Sequence, residues 1–334
     1  MKAIGYKQAL PISDTHALEE IELPKPSAQG RDLLVKIEAI SVNPVDTKIR
    51  RGVQPDEGQY RVLGWDATGV VESVGQQVSL FKPGDKVWYS GALNRPGANA
   101  EYQLVDERVT AKMPESLNFA EAAALPLTSV TAWELMFHRL NLPTTSSGKL
   151  LIIGAAGGVG SIMIQLAKRL TQLEVIATAS RPETKDWVRA LGADYVIDHS
   201  KPLADELKAI GFDNVDYVTS LTNTDDHLPS IVDIIAPQGK LGVIDDPEKL
   251  DIMPFKRKSI SIHWELMFTR TLFETDDMIE QHKILTSIAK MVDDGELKST
   301  VADNFGAINA ANLVKAHALL ESGKARGKIV LSGF

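Results

Sequence analysis

Cysteine is absent from this chain of 334 residues, and its absence excludes several kinds of site. Disulfide bonds, a thiolate nucleophile, a four-cysteine structural zinc site and a cysteine-ligated catalytic zinc are all impossible. Seven histidines remain, and no two of them stand at a spacing typical of metal ligands. We therefore interpret each histidine as an ordinary surface or core residue.

Long apolar runs and an excess of basic residues are also missing. No apolar run reaches the roughly 18 residues of a membrane span, and no basic segment leads into an apolar core with a cleavage site. The formal net charge of −8 argues against nucleic-acid binding, which normally requires a basic face. The 44% of hydrophobic residues suffices for two globular domains. We expect a soluble cytoplasmic protein.

A glycine-rich turn stands out in residues 150–165, LLIIGAAGGVGSIMIQ. The aliphatic run 150–153 suits a buried parallel strand, and 155–160 is a turn with almost no side chains. Apolar residues then recur at helical spacing, with Lys168 and Arg169 near the C-terminal end of the helix. A glycine-rich connection without a ligand has the same pattern. The flanking strand and helix favour a dinucleotide site, in which free backbone N–H groups meet a phosphate.

The next segment indicates which dinucleotide is bound. Residues 174–179, EVIATA, predict a second strand, followed by Ser180, Arg181 and Lys185. An NAD site usually has an acidic residue here to bind the ribose 2′-hydroxyl. A hydroxyl and a guanidinium would instead hold a 2′-phosphate, which a carboxylate would repel. We predict NADPH as the cofactor; the alternative is that Arg181 and Lys185 are solvated loop charges.

The pattern of strands and helices divides the chain into two kinds of fold. Alternating runs and turns in the first third predict a partly antiparallel β domain: 33–42, 69–74 and 86–88. A helical region opens at 120–124. Strands then alternate with helices and predict a doubly wound parallel sheet, with strands near 150, 175, 195–197, 215–218, 240–244 and 259–263. Two helices follow, around 276–293 and 309–322, before a final strand at 327–331. This strand is expected to return to the first domain, so the predicted domains are 1–126 with 268–334, and 127–267.

Several motifs occur in one order along nearly the full chain: Asn43-Pro44-Val45-Asp46, Gly64-Trp65-Asp66-Ala67-Thr68-Gly69-Val70-Val71, Pro83-Gly84-Asp85-Lys86-Val87, Leu125 to Trp133, the turn 155–160, Leu191-Gly192-Ala193-Asp194 and Gly327 to Leu331. Together they resemble the medium-chain dehydrogenases/reductases, and among them the zinc-independent quinone oxidoreductase branch related to zeta-crystallin. The resemblance implies a Rossmann domain inserted into a GroES-like catalytic domain. Relatives with a segment like 264–268 are often catalogued as zinc-type alcohol dehydrogenase-like proteins.

The resemblance also locates the metal positions of the zinc-dependent relatives, which use cysteine, histidine and a third cysteine or acid. These positions fall on Asn43, Trp65 and Leu127. An amide, an indole and an isobutyl group do not form a zinc site, and the segment 90–101, where a structural zinc lobe would lie, has no thiol. Without a Lewis acid to stabilise an alkoxide, alcohol oxidation is disfavoured. We expect no metal, and a zinc alcohol dehydrogenase is the least favoured function.

The activity implied by the resemblance is hydride transfer from NADPH to a quinone or an α,β-unsaturated carbonyl. Asn43 is implied to lie near the nicotinamide and the substrate carbonyl, and Thr131 to face the nicotinamide ring; a simpler interpretation of Asn43 is a turn residue before proline. The other cofactor-binding residues implied are Ala156, Gly157, Gly158 and Val159 at the pyrophosphate, Ser180, Arg181 and Lys185 at the 2′-phosphate, and Lys328.

The charged residues around the Asn-Pro motif have more than one interpretation. We expect structural hydrogen bonding for Asp46 and Asp66, with Asp85 and nearby backbone amides as their partners. Bacterial quinone reductases often carry tyrosines just after the motif, whereas this chain has three cations, which are either solvated or line the mouth of the site and favour polar substrates: Lys48, Arg50 and Arg51.

One other function and one assembly remain open. The chain could bind NADPH without significant turnover, as a redox-responsive regulatory or RNA-binding protein, although its acidic balance counts against RNA. By the resemblance, the strand 259–263 lies at the edge of the nucleotide-domain sheet, where an exposed β-branched edge favours pairing with a symmetric copy. We expect a homodimer through 239–263.

Overall fold

The structure, a computed structural model, describes all of residues 1–334 and separates them into two compact units. Met1–Val130 and Phe268–Phe334 together form the first, which we call the split unit. Thr131–Met267 form the second, which we call the inserted unit.

Sixteen strands run along the chain: β1 (Lys2–Tyr6), β2 (Glu19–Glu22), β3 (Asp32–Val42), β4 (Arg61–Val62), β5 (Ala67–Val74), β6 (Lys86–Tyr89), β7 (Tyr102–Asp106), β8 (Thr110–Lys112), β9 (Ser147–Ile153), β10 (Gln172–Thr178), β11 (Tyr195–Ile197), β12 (Val215–Ser220), β13 (Ile235–Val243), β14 (Ser261–Trp264), β15 (Val301–Asn304) and β16 (Lys328–Ser332).

Ten α-helices accompany them: α1 (Pro44–Gly52), α2 (Phe119–Ala123), α3 (Pro126–Trp133), α4 (Gly158–Leu170), α5 (Pro182–Ala190), α6 (Leu203–Ala209), α7 (Thr224–Ile234), α8 (Thr269–Leu272), α9 (Ile279–Asp293) and α10 (Ala310–Glu321). Short 3-10 helices cover Glu107–Val109 and Met253–Lys258, and a π-helical segment covers Glu134–Arg139. None of the helices combines the length and the apolarity that crossing a membrane requires.

The inserted unit is built on a parallel sheet in the order β11-β10-β9-β12-β13-β14. The central strand β9 is fully buried from Leu150 to Ile153, which explains why its sequence is a continuous aliphatic run rather than an alternating one. Helices connect successive strands as far as β13, and the predicted doubly wound sheet is confirmed.

The split unit contains a separate, mostly antiparallel sheet in the order β15-β16-β3-β5-β6-β8, with β7 also paired to β3. A smaller sheet has the order β2-β1-β4. The final strand β16 pairs antiparallel with β3, and Ser41 Oγ donates to the Ile329 carbonyl at 2.9 Å. The prediction that the last strand returns to the first domain is therefore confirmed.

The helical region after residue 120 is interrupted, which the sequence interpretation did not anticipate. Helix α2 stops at Ala123 and α3 begins at Pro126. Proline has no N–H to donate to the preceding turn, so one continuous helix is not formed across this point. The predicted edge strand also begins later, at Ser261, because Ser259 has a left-handed backbone (φ 54°) at the end of the 3-10 helix.

Candidate cofactor and active site

The glycine turn after β9 leaves backbone donors exposed at the start of α4. Gly154 takes a left-handed conformation (φ 79°), and its carbonyl accepts the N–H of Gly157 at 3.1 Å. Gly157 is the N-cap residue of α4, and it has no side chain that could bond to the first N–H groups of the helix. The first turn also carries no acidic residue. Such a helix N-terminus fits a phosphate group, because N–H groups and the positive end of the helix dipole meet there.

Close packing fixes the position of this turn. A Cβ atom added at Gly160 would lie 2.4 Å from the Ala155 carbonyl oxygen, a distance that real Cβ atoms do not show. Glycine at this position therefore allows α4 to approach the end of β9. Ser161 Oγ donates to the Gly157 carbonyl at 2.7 Å and accepts the Trp187 indole N–H at 2.8 Å, which ties α4 to α5.

The end of β10 lies beside the turn. The Gly154 N–H donates to Thr178 Oγ1 at 3.1 Å. Two residues later Ser180 is half-buried, and Arg181 is the N-cap residue of α5. Arg181 Nε lies 3.2 Å from Glu183 Oε1. The structure thus brings Ser180 and Arg181 to the same edge of the sheet as the glycine turn.

Lys185 is not simply a solvated loop charge. Its Nζ lies 3.2 Å from Oδ2 of Asp198, a residue that is 9% exposed just beyond the end of β11. Hydrogen bonds from Ser200, with the Lys185 ammonium, lower the pKa of Asp198 to about 2. The sequence interpretation missed Asp198, although its place directly after a predicted parallel strand is a signal for this edge of the sheet.

A buried polar cluster surrounds Asn43 in the split unit. Asn43 is the N-cap residue of α1, and its backbone N–H donates to Asp46 Oδ2 at 2.8 Å. Its side-chain Nδ2 donates to Asp66 Oδ2 at 2.8 Å and reaches the Ser41 carbonyl at 3.4 Å, while Oδ1 accepts from Lys328. Asn43 is therefore an N-cap residue, and its amide bonds inside the unit.

Lys328 supplies the positive charge of this cluster, and its ammonium group also donates to the Val42 carbonyl at 3.0 Å. The second carboxylate oxygen of Asp66, Oδ1, accepts a hydrogen bond from the Leu127 backbone N–H at 2.7 Å. Lys328 is 3% exposed and Asp66 is not exposed. The structure thus places Asn43 and Lys328 together, although they are far apart in sequence.

The two carboxyl groups of the cluster are buried with a single lysine. Burial raises the pKa of Asp46 to about 7, and it also raises the pKa of Asp66 against the opposing effect of Lys328. Asp46 Oδ1 is buried and has no hydrogen-bond partner. The predicted structural hydrogen bonding of both acids is present.

The prediction that Asp85 is a hydrogen-bond partner of these two acids, however, is wrong. Asp85 accepts the Lys82 N–H at 3.1 Å and lies 3.5 Å from Lys112, because its carboxylate closes its own turn.

The cations after the Asn-Pro motif do not behave as one group. Lys48 and Arg51 are exposed, whereas Arg50 is fully buried. Arg50 Nε donates to His317 Nδ1 at 3.3 Å, and the guanidinium also bonds to the Leu10 carbonyl and to Glu321. Both predicted roles for Arg50, solvated or at the mouth of a site, are therefore wrong. The reason is helical periodicity, which turns Arg50 toward α10.

The side chains at the predicted metal positions form hydrogen bonds to, or pack against, other groups of the protein. The Trp65 indole N–H donates to the Ala92 carbonyl at 3.0 Å, and its ring packs edge-on against Phe268 with centroids 6.3 Å apart. Leu127 contributes a buried isobutyl group, and the amide of Asn43 bonds within the cluster. These three side chains provide no thiolate, imidazole or carboxylate and do not fit a zinc ion. No group of three or more acidic or histidine side chains in the chain is arranged to hold a metal.

Thr131 lies in the inserted unit, where it is 5% exposed. It precedes the π-helical segment by three residues, and such segments often occur near functional sites. The predicted site residues therefore divide between the units. Asn43 and Lys328 belong to the split unit, and Thr131 belongs to the inserted unit with the glycine-turn and 2′-phosphate residues.

Comparison with known proteins gives the family. Residues 29–115 match the alcohol dehydrogenase GroES-like domain, and residues 191–331 match the zinc-binding dehydrogenase family. A zinc-type alcohol dehydrogenase-like protein of Staphylococcus epidermidis is 41% identical over 337 residues, covering 99% of each chain. The chain belongs to the medium-chain dehydrogenase/reductase superfamily. It is accordingly an oxidoreductase with a nicotinamide-binding fold.

Two other members of this superfamily are informative. A crystal structure from Rhizobium etli CFN 42, provisionally assigned as a zinc-dependent alcohol dehydrogenase, is 55% identical, with a TM-score of 0.96 and coverage of 100% of this chain and 98% of that one. A 2-methylene-furan-3-one reductase of Solanum lycopersicum is 41% identical over 197 residues, covering 56% of this chain and 50% of the relative. The relatives of this chain in the superfamily therefore include proteins named as zinc-type alcohol dehydrogenases and one named as a 2-methylene-furan-3-one reductase.

Proposed function

We propose that this oxidoreductase is metal-independent and transfers a hydride from NADPH to a quinone or to a C=C bond conjugated with a carbonyl. The observation that carries the proposal is the set of side chains at the metal positions. Asn43, Trp65 and Leu127 are each engaged in bonds or packing inside the split unit. A site built from them lacks a Lewis acid for an alkoxide, so alcohol oxidation is disfavoured.

The class of hydride acceptor follows from the absence of a Lewis acid in the proposed site. A quinone or an enone accepts hydride and leaves an anion that the acceptor itself delocalises and that solvent can protonate. The protein then contributes position, exclusion of water and hydrogen bonds rather than a strong acid. The name of the Solanum lycopersicum relative, a reductase of an exocyclic enone, supports this class.

The cofactor choice rests on the end of β10. No carboxylate occupies the position of Ala179 to Arg181, where a 2′-hydroxyl would be bound. Ser180, Arg181 and Lys185 offer a hydroxyl, a guanidinium and an ammonium for a 2′-phosphate. Lys185 is held by Asp198 at 3.2 Å and keeps further N–H donors for a second acceptor. These groups favour NADPH over NADH.

The rest of the cofactor would be held by the turn before α4 and by the first residues of that helix. The backbone of Ala156, Gly157, Gly158 and Val159 would bind the pyrophosphate through the N–H groups described above. When bound, NADPH would supply the hydride. Thr131 is proposed to face the nicotinamide ring.

Asn43 is proposed to act near the acceptor carbonyl, and Lys328 to contribute to cofactor binding. The amide of Asn43 already bonds to Asp66 and Lys328. The donor Nδ2 is engaged with Asp66 and the Ser41 carbonyl, so donation to an acceptor oxygen would require one of these two bonds to be exchanged. We propose that Lys328, which donates to Oδ1, sets the orientation of the amide.

The test combines activity with metal analysis of the purified protein. NADPH oxidation is followed with a panel of quinones and enones, and alcohol oxidation with NADP⁺ in the reverse direction. We expect turnover with the panel, none with alcohols, and rates unchanged by a chelator. Stoichiometric zinc together with chelator-sensitive turnover would contradict the proposal. Tight NADPH binding without turnover on any acceptor would instead support a redox-responsive regulatory protein.

The variant Asn43→Ala examines the proposed role of the amide. Loss of a hydrogen-bond donor where charge develops on the acceptor oxygen can lower turnover by about 10²- to 10³-fold, and we expect the lower end because a quinone stabilises its own anion. Turnover with a quinone and an enone is measured alongside NADPH affinity. Unchanged turnover and affinity would leave Asn43 with a structural role only.

We also propose a homodimer through 239–263. Strand β14 lies at the edge of the parallel sheet, so one side of its backbone has no neighbouring strand. Trp264 is 52% exposed there, and Met253, from the segment before it, is 66% exposed. An unpaired edge with apolar side chains favours pairing with a symmetric copy. Light scattering should give the mass of a dimer at micromolar concentration, and Ile262→Pro should shift it toward the monomer, whereas a native monomer would contradict the proposal.

A further inference from the structure

His199 lies at the edge of the sheet where the 2′-phosphate is proposed to bind. Strands β10 and β11 are parallel with Thr178 opposite Ile197, and the Ala179 N–H donates to the Ile197 carbonyl at 2.9 Å. Ser180 and His199 each lie two residues beyond the Thr178–Ile197 pair, and the charges of Arg181 and Lys185 act on His199. Sequence spacing alone gave His199 no role, because no second histidine is near it in the chain.

The imidazole of His199 has a ring nitrogen that no group of the chain satisfies. The side chain is half-buried, and its Nδ1 atom is buried without a hydrogen-bond partner. Its ring packs edge-on against the ring of His227 from α7, with centroids 6.2 Å apart and an interplanar angle of 88°. Because an unpartnered buried nitrogen is costly, this arrangement is what a ring poised for a ligand would show.

The charges around His199 come from three directions. Arg181 and Lys185 approach from the β10–α5 side, Asp198 directly precedes it in the chain after β11, and His227 faces it from α7. His227 is in turn influenced by Asp226 and Asp245. Burial lowers the pKa of His199, and the two cations lower it further against the opposing effect of Asp198. The ring is therefore neutral at neutral pH while no anion is bound.

We propose that His199 is a further ligand of the 2′-phosphate of NADPH, and that it takes up a proton when the phosphate binds. The inference rests on the proposed choice of NADPH. The phosphate brings a charge of about −1.5 to −2, and an anion beside an imidazole stabilises its protonated form. A protonated ring donates from both nitrogens, so it becomes a charge-assisted donor to the phosphate.

The consequence is a cofactor preference that depends on pH. Between the pKa of His199 in the empty site and its raised pKa in the complex, binding of a 2′-phosphate consumes a proton. The dissociation constant should then increase by up to about tenfold per pH unit as the pH rises. NADH lacks the 2′-phosphate, so its affinity should not follow this slope.

The experiment uses two adenosine probes on the full-length protein. Adenosine 2′,5′-bisphosphate carries the 2′-phosphate, and 5′-AMP does not. Isothermal titration calorimetry in buffers of different ionisation enthalpy, between about pH 6 and pH 8, gives both affinity and proton uptake. Titration of the phosphate itself affects the native protein and its variants equally, so the difference between them isolates His199.

Three variants define the outcome. His199→Gln should lose the part of the proton uptake that is due to His199 and change the slope for the bisphosphate accordingly, while leaving 5′-AMP unchanged. His199→Lys, with a permanent charge, should bind the bisphosphate with only the proton exchange of the phosphate itself across the range. The exposed His16→Gln, in the split unit, should behave as the native protein.

Unchanged proton uptake in His199→Gln would overturn the inference and leave the choice of NADPH intact. Equal affinity of the native protein for both probes at every pH would overturn the choice of NADPH, and the inference with it. Circular dichroism of each variant establishes that it is folded before the titrations are compared.

Discussion

The ammonium group of Lys328 lies 3.0 Å from Oδ2 of Asp66, and both side chains are almost completely removed from solvent. Desolvation of two charges costs several kcal/mol each, so such a pair persists only with further hydrogen bonds. Here the amide of Asn43 bridges them, since it donates to Asp66 and accepts from Lys328. The pair, with Asn43, therefore fixes both the start of β16 and the start of α1.

Removing the cation of this pair should destabilise the fold. In Lys328→Met, the buried Asp66 loses its compensating ion, and we expect a loss of about 3–5 kcal/mol in the free energy of unfolding. Urea unfolding measures it. The exposed Lys324→Met is the control, with an expected effect within about 0.5 kcal/mol. Adding Asp66→Asn to Lys328→Met should recover part of the loss; if Lys328→Met is as stable as the control, the pair does not carry the proposed charge interaction.

The stability of the protein should depend on pH through Asp46. Its pKa is about 7 in the folded chain, against about 3.9 in an unfolded one, so the folded state retains a proton that the unfolded state has lost between these values. Stability from this group therefore falls as the pH rises from about 4 to about 7 and is constant above that.

The variant Asp46→Asn should remove this dependence. Between about pH 5 and pH 8, we expect it to gain on the order of 2 kcal/mol relative to the native protein. Urea unfolding at the two pH values measures the change, with the exposed Asp276→Asn as the control. An identical pH dependence in Asp46→Asn and the native protein would contradict the assignment.

The glycine turn should tolerate a methyl group at one glycine and not at another. Gly160→Ala would place Cβ 2.4 Å from a backbone oxygen, and we expect a loss of about 1–3 kcal/mol in stability. Gly157→Ala has an ordinary backbone (φ −74°) and a nearest contact of 3.4 Å, so its effect on stability should be below about 1 kcal/mol. Thermal unfolding distinguishes them. Equal destabilisation by both would show that packing between α4 and the strand end is not the reason for Gly160.

The affinity for the 2′-phosphate of NADPH should depend on Arg181. Arg181→Ala is expected to weaken NADPH binding by on the order of 1–3 kcal/mol, because a charge-assisted hydrogen bond is lost, while NADH binding is spared. Fluorescence titration with both cofactors gives the two affinities. Arg189→Ala, at the other end of α5 and 57% exposed, is the matched control. Equal affinity of the native protein for NADPH and NADH would count against the cofactor assignment.

The parallel sheet could be predicted from sequence, and some of the smaller elements could not. Aliphatic runs such as 150–153 leave few alternatives to a buried strand, and the glycine turn after this run predicts the helix that begins at Gly158. Strand β2 reads EEIE and β15 reads VADN, so neither shows a run or an alternation that would predict it. Their conformation depends on pairing with β1 and β16, and such tertiary context is not encoded locally.

The contacts within the candidate site also depend on tertiary context that the local sequence does not encode. The Asn-Pro motif identified Asn43 as a residue of interest, but its bonding partner Lys328 is 285 residues away and meets it only because β16 pairs with β3. Arg50 was misjudged because three neighbouring cations appear equivalent in sequence, whereas a helix turns one of them inward. His199 and His227 are in ring contact, a relation that spacing in the chain does not reveal.

The return of β16 to β3 also affects the order in which the protein can be completed during synthesis. Ser41 and Ile329, which bond across these strands, are 288 residues apart, whereas all strands of the inserted unit come from the continuous stretch 147–264. The inserted unit can form its sheet as soon as that stretch has left the ribosome. The edge of β3 between Ala39 and Val42 remains without its partner strand until residues 329–332 have been synthesised. A nascent chain stalled shortly before Lys328 would therefore expose an unpaired strand edge of β3, to which a strand of another chain could pair.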